Sequence, residues 1–297
     1  MANLPSFTKT FHRDVYPGIS PTRPELSAVG KIVAVTGAGG QIGKATCKAF
    51  ARAGAKHIIM LDLNLDNLQT AKTEIEQDPE CQTSILHLFA VNITDQAAIK
   101  ETFSKIESAF GIVSVLVNNA GYQPSPQRYR YAAIDEWWKG LEVNVKGSFI
   151  VTQEFVQHAA LDNSKTAAPT LINISSVLAH WGIRQGYVNG HTSYSSAKIA
   201  MTRAMEILQE EEPWLRVFNV HPGLVATPMA AKSGTLSVSI DNVNLPAFFA
   251  VWVASDEAEF LKGRFLWANW DISELQQQKK EILDQDLLRL NLYGLQL

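Results

Sequence analysis

A tyrosine and a lysine four residues apart form the pair in this sequence that is best placed to move a proton. A free tyrosine has a pKa of about 10, which is too high for a good base at neutral pH. Tyr194 and Lys198 lie in a stretch of helical period, where this spacing puts both side chains on one face, one turn apart. A nearby ammonium group favours the phenolate and lowers the tyrosine pKa. Tyr194 is therefore a candidate general acid or base.

A glycine-rich turn is the second chemical feature, and it predicts a phosphate site. Residues 36–43 read Thr-Gly-Ala-Gly-Gly-Gln-Ile-Gly, directly after a short β-branched run and before a helical stretch. Unpaired backbone amides and the helix dipole favour an anion at a helix start, and glycine lets a pyrophosphate approach closely. In that context we interpret the turn as a dinucleotide site rather than a tight turn alone. Its predicted cofactor contacts are Gly37, Gly39, Gly40, Gln41, Ile42 and Gly43.

An acid at the end of the next apolar run bears on which dinucleotide binds. Asp62 can accept hydrogen bonds from both ribose hydroxyls of the adenosine half and would repel a 2′-phosphate. No Lys or Arg occupies positions 37–41, so NAD is favoured as the cofactor and NADP is less favoured. Leu63, the next residue, is included among the predicted cofactor contacts. The alternative is that Asp62 merely caps the following helix.

The elements that must position these groups alternate between short apolar runs and stretches of helical period. Predicted strands are 31–36, 57–62, 84–91, 113–118, 170–175, 215–221 and 264–268; predicted helices are 41–53, 64–77, 94–110 (with Thr94 as N-cap), 135–158, 193–211 and 246–254. Strands joined by helical crossovers pair in parallel, and continuous apolar strands indicate a sheet covered on both faces. The predicted class is α/β, a doubly wound seven-stranded parallel sheet with helices on both faces and a nucleotide crevice at the strands' carboxyl ends.

Composition excludes several classes of protein. The net charge of −3 argues against a general nucleic-acid binder or a polybasic membrane contact. No apolar run approaches the roughly 18 residues of a membrane span, and the first 24 residues lack a secretory signal's apolar core. The two cysteines, Cys47 and Cys81, are interpreted as reduced thiols, and no His, Cys, Asp or Glu set has metal-ligand spacing. We expect a cytoplasmic protein without a metal, a membrane contact or a nucleic-acid partner.

Several separated motifs, taken in order, resemble the short-chain dehydrogenase/reductase family in its single-domain, Rossmann-type form. They are the glycine turn, Asn118-Asn119-Ala120-Gly121, Asn144, Ser176, Tyr194-Ser195-Ser196-Ala197-Lys198, and Pro222-Gly223 followed by Val225 and Thr227. The resemblance runs from about Lys31 to Asp271. The N-terminal arm and the end 265–271 look like the fungal branch of the family, which is often found in secondary metabolism.

The resemblance implies an oxidoreductase that transfers a hydride between NAD(H) and a secondary alcohol or ketone. Tyr194 would act as base in oxidation and acid in reduction, and Lys198 would also bond the nicotinamide ribose. Ser176 would hold the substrate oxygen, with Ser175 as the alternative. Asn144 would interrupt its helix and hold a water that links Lys198 to solvent. The runner-up function is an epimerase, dehydratase or cyclase of the same fold without net redox; a non-catalytic NAD-sensing protein is a third hypothesis.

The resemblance also extends the predicted cofactor site beyond the glycine turn. The added contacts are Asn92, Ile93, Asn119, Ala120, Gly121, Tyr194, Lys198, Pro222, Gly223, Val225 and Thr227. Two residues depart from the family pattern. Gln41 replaces a glycine, so either the phosphate approach differs or the amide donates to the phosphate. Asn92 replaces the acid that usually contacts adenine, and it can still donate and accept hydrogen bonds.

The stretch between Ser176 and Tyr194 is longer than usual and enlarges the loop over the substrate. With those two residues, the predicted wall is Leu178, Trp181, Tyr187, Met229 and Tyr122, which suggests a fairly large apolar or aromatic small molecule. The same aromatics can simply pack the loop. His180 and His191 are further possible substrate contacts, whereas His221 is expected to pack at its strand end.

We divide the chain into an N-terminal arm at 1–30 that contains several prolines, an NAD-binding catalytic domain at 31–272 with a substrate lid around 228–245, and a C-terminal helical extension at 273–297. The extension is predicted as one helix. The long helices 135–158 and 193–211 resemble the pair that forms the family's four-helix interface, which implies a homodimer or homotetramer. Trp137 and Trp138 are candidate interface anchors, with core packing as the alternative.

Overall fold

The computed structural model describes residues 6–161, 168–181 and 188–292, and a seven-stranded sheet forms its centre. The strands are β1 (Ile32–Thr36), β2 (His57–Asp62), β3 (Ile85–Ala90), β4 (Val115–Asn118), β5 (Thr170–Ile174), β6 (Arg216–His221) and β7 (Phe265–Trp267). Neighbouring strands are parallel throughout, in the order β3-β2-β1-β4-β5-β6-β7. The predicted doubly wound, seven-stranded parallel sheet is confirmed.

The strand order reverses between β1 and β4, and this reversal opens a crevice at the carboxyl ends of the strands. The chain winds from β1 outward to β3 and then returns to the other side of β1 to begin β4. In such sheets the loops on either side of the reversal run in opposite directions, so ligands bind between them. The glycine turn after β1 and the Asn118–Gly121 segment after β4 therefore face each other across this crevice.

Helices cover both faces of the sheet. They are α1 (Gln41–Arg52), α2 (Leu65–Glu76), α3 (Gln96–Phe110), α4 (Ile134–Leu141), α5 (Ser148–Ala159), α6 (Thr192–Glu211), α7 (Pro228–Lys232), α8 (Asn244–Val253), α9 (Ile272–Gln277) and α10 (Lys279–Asp284). Phe50 of α1 and Trp252 of α8 pack in the core on one face, whereas Phe103 of α3 and Phe155 of α5 pack on the other. The strands β1, β4, β5 and β6 are buried along their whole length because both faces are covered.

Three sequence predictions about helices differ from the structure. The predicted helix 135–158 is divided into α4, a π-helical turn at Glu142–Gly147, and α5. The N-cap of α3 is Asp95, whose carboxylate accepts from Ala98 N at 3.0 Å, so the prediction of Thr94 is wrong. The C-terminal extension is two short helices that break at Gln278, not one.

The N-terminal arm is fastened to the body at several points along its length. Phe11 forms a β-bridge with Trp270, and Arg23 pairs with Glu257 at 2.7 Å. Ile19 lies fully inside the core on the α1 side of the sheet, so the arm contributes to the core as well as lying over the surface. Across the residues that the structure describes, no helix is long and apolar enough to cross a membrane.

Candidate active site

A cavity of about 850 Å³ lies at the carboxyl ends of the strands and brings most of the predicted site residues together. The predicted residues that line it are Gly37, Gly40, Gln41, Ile42, Gly43, Asp62, Asn119, Ala120, Gly121, Ser176, Leu178, Trp181, Tyr194, Lys198, Pro222, Gly223, Val225, Thr227 and Met229. Six predicted residues do not line it: Gly39, Leu63, Asn92, Ile93, Tyr122 and Asn144. Tyr187 lies outside the described residues.

The glycine turn leaves the start of α1 open to the cavity. Gly40 occupies the N-cap position and offers no side chain to the first amides of the helix. Gly37 has a φ of +65°, and a Cβ there would lie 3.0 Å from the Cα of Ala120. A Cβ on Gly43 would lie only 2.1 Å from the carbonyl oxygen of Gly37, so α1 can approach the turn only with glycine at this position. Open amides at a helix start suit a pyrophosphate.

Asp62 joins the end of β2 to the glycine turn. Its Oδ2 accepts from Gly39 N at 3.0 Å, and its Oδ1 accepts from Asn64 N at 3.0 Å. The N-cap of α2 is Asn64, whose own side chain accepts from Asn67 N, so the alternative in which Asp62 caps this helix is not seen. Each carboxylate oxygen keeps a lone pair for a further donor, such as a ribose hydroxyl.

Three predicted cofactor contacts, Leu63, Asn92 and Ile93, do not line the cavity. Leu63 is 74% exposed and lies outside the cavity lining. Asn92 is also exposed, and its Oδ1 accepts from Thr94 N at 3.1 Å. Ile93 is buried below the π-helical turn, where its side chain would meet a Cβ on Gly147 at 2.8 Å.

Thr36, at the end of β1, ties the two sides of the crevice together, and sequence reasoning missed this role. Its Oγ1 accepts from Asn119 N and Ala120 N, both at 2.9 Å, and donates to Asn118 Oδ1 at 3.2 Å. Asn119 Nδ2 returns a hydrogen bond to Thr36 O at 2.8 Å. A hydrogen-bond network therefore joins the ends of β1 and β4 beside the cavity. In the sequence, the only indication of this network is a hydroxyl residue directly before the glycines.

Tyr194 and Lys198 lie one turn apart on α6, as predicted, with Lys198 Nζ 5.5 Å from the centre of the tyrosine ring. Lys198 is buried and donates to Ile174 O at 2.8 Å. Burial lowers the pKa of Lys198 to about 8. Burial also raises the pKa of Tyr194 to about 12, although a hydrogen bond with Ser176 opposes the rise. The expected lowering of the tyrosine pKa is therefore absent from the protein alone.

The structure distinguishes the two candidate serines after β5. Ser175 Oγ is paired with Thr202 Oγ1 at 2.7 Å inside the protein. Ser176 instead interacts with Tyr194 in the cavity, and its Oγ also accepts from Leu178 N at 3.2 Å. The hydroxyl that faces the tyrosine is therefore that of Ser176.

Asn144 lies within the π-helical turn, so the interruption that the resemblance implies is present, although helical period alone predicted one continuous helix. Its Nδ2 donates to Gly140 O at 2.7 Å and to Tyr122 O at 2.6 Å, and its Oδ1 accepts from Tyr122 N at 3.1 Å. A Cβ on Gly121 would lie 2.9 Å from Asn144 Oδ1 and 3.7 Å from Lys198 Nζ. The absence of a side chain at Gly121 thus brings the asparagine and the lysine together.

The histidines near the cavity have different surroundings. His221 is buried, its Nδ1 accepts from Val177 N at 3.1 Å, and burial lowers its pKa to about 3. This neutral ring agrees with packing at the strand end. His180 accepts from Trp267 Nε1 at 3.0 Å and does not line the cavity. His191 lines the cavity beside Gln123, a residue that sequence reasoning missed.

A buried carboxylate holds the loop at residues 222–227. Asp241 Oδ2 accepts from Leu224 N at 2.6 Å and from Asn269 Nδ2 at 3.1 Å, and its Oδ1 accepts from Arg13 Nη1 of the N-terminal arm at 3.0 Å. Gly223 has a φ of +86°, and a Cβ there would lie 2.7 Å from the same carboxylate. Nothing in the local sequence indicated this contact.

The cavity combines open helix-start amides, an acid at the end of β2 and a Ser–Tyr–Lys set, and its glycines leave room for close backbone approach. These features fit a bound dinucleotide with its nicotinamide toward Tyr194. The model of the family described as short chain dehydrogenase matches residues 31–236. The chain belongs to the short-chain dehydrogenase family.

Fungal proteins are among the similar members of this family. The chain is 33% identical over 290 residues to a short chain dehydrogenase/reductase of Claviceps purpurea, covering 94% of this chain and 91% of that protein. It is 30% identical over 286 residues to the short chain dehydrogenase mpl6 of Monascus purpureus, covering 95% and 94%. The predicted resemblance to the fungal branch of short-chain dehydrogenases is confirmed.

Solved structures of short-chain dehydrogenases share the fold. The 3-ketoacyl-(acyl-carrier-protein) reductase of Brucella melitensis, complexed with NADH, superposes with a TM-score of 0.72 at 24% identity, over 81% of this chain and 97% of that one. An NAD⁺-bound xylitol dehydrogenase gives a TM-score of 0.70 at 22% identity, over 81% and 98%. At these identities the likeness establishes the fold.

Proposed function

We propose that this short-chain dehydrogenase interconverts a secondary alcohol and a ketone of a fairly apolar small molecule, with Tyr194 as the general acid and base. The observation that carries the proposal is that Ser176, Tyr194 and buried Lys198 line the same cavity as the glycine turn, with Ser176 hydrogen-bonded to Tyr194. When bound, the nicotinamide supplies the hydride acceptor or donor and, in its oxidised form, a positive charge.

Ser176, Tyr194, Lys198 and Asn144 have different roles around the reacting oxygen of the substrate. Ser176 Oγ holds that oxygen against Tyr194 and stabilises the negative charge that develops on it. Tyr194 takes the alcohol proton in oxidation and returns it in reduction. The Lys198 ammonium favours the phenolate, and its fixed position at Ile174 O keeps that charge beside the tyrosine. Asn144 acts as a positioning residue, and we propose that it orders a water between Lys198 and solvent.

We infer that NAD(H) is the cofactor, with NADP(H) disfavoured. Asp62 lines the cavity at the end of β2, where an adenosine ribose would lie, and a carboxylate there repels a 2′-phosphate.

The substrate end supports an apolar ligand, since Leu178, Trp181 and Met229 line it. The fungal relatives favour a substrate from secondary metabolism. We also propose the cytoplasm as the compartment, 31–272 as the catalytic domain, and 228–245 as a lid.

We further propose a homodimer or homotetramer built on α5 and α6. Phe149 of α5 is 53% exposed, and Ile199 and Ile207 of α6 are 45% and 50% exposed. The two isoleucines are two helical turns apart and so lie near one face. Trp138 is 59% exposed and remains a candidate anchor, whereas Trp137 is partly buried and donates to Thr192 Oγ1 at 3.1 Å.

The test is turnover of a panel of ketones and secondary alcohols with NAD(H) and NADP(H), comparing wild type with Tyr194→Phe. Loss of the phenol should lower kcat/KM by about a hundredfold to ten-thousandfold. Tyr16→Phe is the matched control. Tyr16 lies on the arm, its hydroxyl donates to Trp270 O, and neither residue lines the cavity. Equal turnover by wild type and Tyr194→Phe would contradict the proposed base. Product formation without a net change in NADH would favour an epimerase, dehydratase or cyclase.

A further inference from the structure

A second polar pair lies in the cavity beside the proposed reaction centre. The pair is Gln123 and His191, whose Nε2 and Nδ1 atoms are 2.8 Å apart. Both residues line the cavity, and they are only 7% and 8% exposed. They come from different parts of the chain: Gln123 follows the Asn118–Gly121 turn, and His191 is the N-cap residue of α6. The proposed chemistry at Tyr194 and Ser176 uses neither of them.

The contact within the pair fixes what each side chain still offers. An amide nitrogen can only donate, so it donates to Nδ1 and leaves the imidazole proton on Nε2. His191 Nε2 is then a donor, and Gln123 Oε1 is an acceptor. Neither atom makes a hydrogen bond to any residue within 6–161, 168–181 or 188–292. Both residues line the cavity, so a ligand bound there can supply the matching acceptor and donor.

The pair is electrically neutral, which narrows the class of ligand group. Burial lowers the pKa of His191, so its ring stays uncharged at neutral pH. The pair itself offers no positive charge to a carboxylate or phosphate, and the Gln123 oxygen would repel either group. A hydroxyl group matches the pair best, because it accepts from His191 and donates to Gln123 at the same time.

We propose that Gln123 and His191 bind a second hydroxyl group on the substrate, close to the carbon that is oxidised or reduced. His191 is the N-cap residue of α6, three positions before Tyr194, and both residues line the cavity. The substrate class is therefore a hydroxylated ketone, or the corresponding diol, on an otherwise apolar skeleton that packs against Leu178, Trp181 and Met229. This inference rests on the proposed oxidoreductase function.

The experiment compares tetralone, its ring-hydroxylated analogues and their methyl ethers as substrates. Wild type should prefer at least one hydroxylated ketone over tetralone by about tenfold or more in kcat/KM. The methyl ether, which only accepts, should lose most of that preference. In Gln123→Met and in His191→Leu, kcat/KM for the hydroxylated ketone should be close to kcat/KM for tetralone.

His180→Leu is the matched control, because His180 lies on the same stretch before α6 but bonds Trp267 instead of lining the cavity. It should keep the hydroxyl preference even if it lowers thermal stability. The melting temperature and NAD affinity of every variant show whether a lost preference reflects unfolding. In wild type, the ratio of kcat/KM for the hydroxylated ketone to kcat/KM for its methyl ether tests the donor requirement without any variant.

The outcomes separate the two proposals. If wild type turns over no ketone or alcohol with either cofactor, the proposed function fails. If wild type reduces ketones without preferring a hydroxylated one, or if both variants keep the preference, the function stands and the role of Gln123 and His191 is overturned.

Discussion

Lys198 Nζ donates a hydrogen bond to the main-chain oxygen of Ile174 at 2.8 Å, so the buried ammonium is anchored to the last residue of β5. That strand leads directly to Ser175 and Ser176. The lysine thus shares a support with the hydroxyl that faces Tyr194, and a shift of either element would disturb the other. The energetic cost of keeping a lysine at this buried position has a measurable consequence.

The free energy of unfolding should depend on pH through Lys198. Burial lowers its pKa from an ordinary value of 10.5 to about 8. Between these values the unfolded chain binds more protons than the folded protein, so stability rises with pH in this window. Wild type should therefore gain up to about 3 kcal/mol relative to Lys198→Met from pH 8 to pH 10.5. Denaturant unfolding at several pH values measures the difference.

Lys146→Met is the control for this experiment. Lys146 lies on the π-helical turn, and its side chain is 58% exposed. Its removal should leave the difference from wild type nearly constant across the same window. A flat difference for Lys198→Met as well would mean that burial does not lower the pKa of Lys198.

The two serines after β5 should respond differently to loss of their hydroxyl groups. Ser176→Ala removes the group that faces Tyr194 and should lower kcat by about a hundredfold to a thousandfold with little effect on stability. Ser175→Ala leaves the buried hydroxyl of Thr202 without its 2.7 Å partner and should cost about 1–3 kcal/mol of stability while activity is largely kept. Steady-state kinetics and thermal unfolding of both variants check the assignment, and the reverse pattern would exchange the roles of the serines.

The sequence predicts the fold well because hydrophobic period reports burial. The β2 prediction matches the observed strand at both ends, and the Tyr194–Lys198 spacing depends only on helical geometry. Contacts between distant parts of the chain leave no such signal. Gln123 and His191 are 68 residues apart, and Arg13 and Asp241 are 228 apart, so only the folded structure brings them together.

Errors of local prediction have physical reasons too. The π-helical turn within 135–158 is stabilised by the Asn144 side chain, whose two donors bond Gly140 and Tyr122. Helical period alone does not reveal such an inserted residue. Thr94 was a plausible cap by type, but its hydroxyl donates to Asn92 and leaves Asp95 to begin α3.

The cofactor preference should depend on the charge of Asp62. Asp62→Ala should weaken NAD binding and raise the affinity for NADP relative to NAD, because it removes both the ribose acceptor and the repulsion of a 2′-phosphate. The variant also frees Gly39 N, so both affinities can fall together; the ratio is the informative quantity. Asp62→Asn is the matched variant, since it keeps an acceptor for Gly39 while removing the charge. Fluorescence titration gives the dissociation constants for NAD and NADP. If the ratio of these two constants is the same in both variants as in wild type, Asp62 does not bind the ribose.

The N-terminal arm should affect cofactor binding through Arg13 and Asp241. The Asp241 carboxylate is fully buried and holds Leu224, in the loop at 222–227. Arg13, which also lines the cavity, pairs with this carboxylate and so supports the loop. Arg13→Met leaves this carboxylate with two neutral donors and should weaken NAD binding several-fold. Because Arg13 is itself 37% exposed, the accompanying loss of stability should be modest, about 1 kcal/mol. Arg23→Met is a matched control: it also removes an arm arginine from a carboxylate, Glu257, but Glu257 does not line the cavity. Arg23→Met should destabilise the protein to a similar degree and leave the dissociation constant for NAD unchanged. Equal effects of the two variants on NAD binding would mean that the arm acts only through general stability.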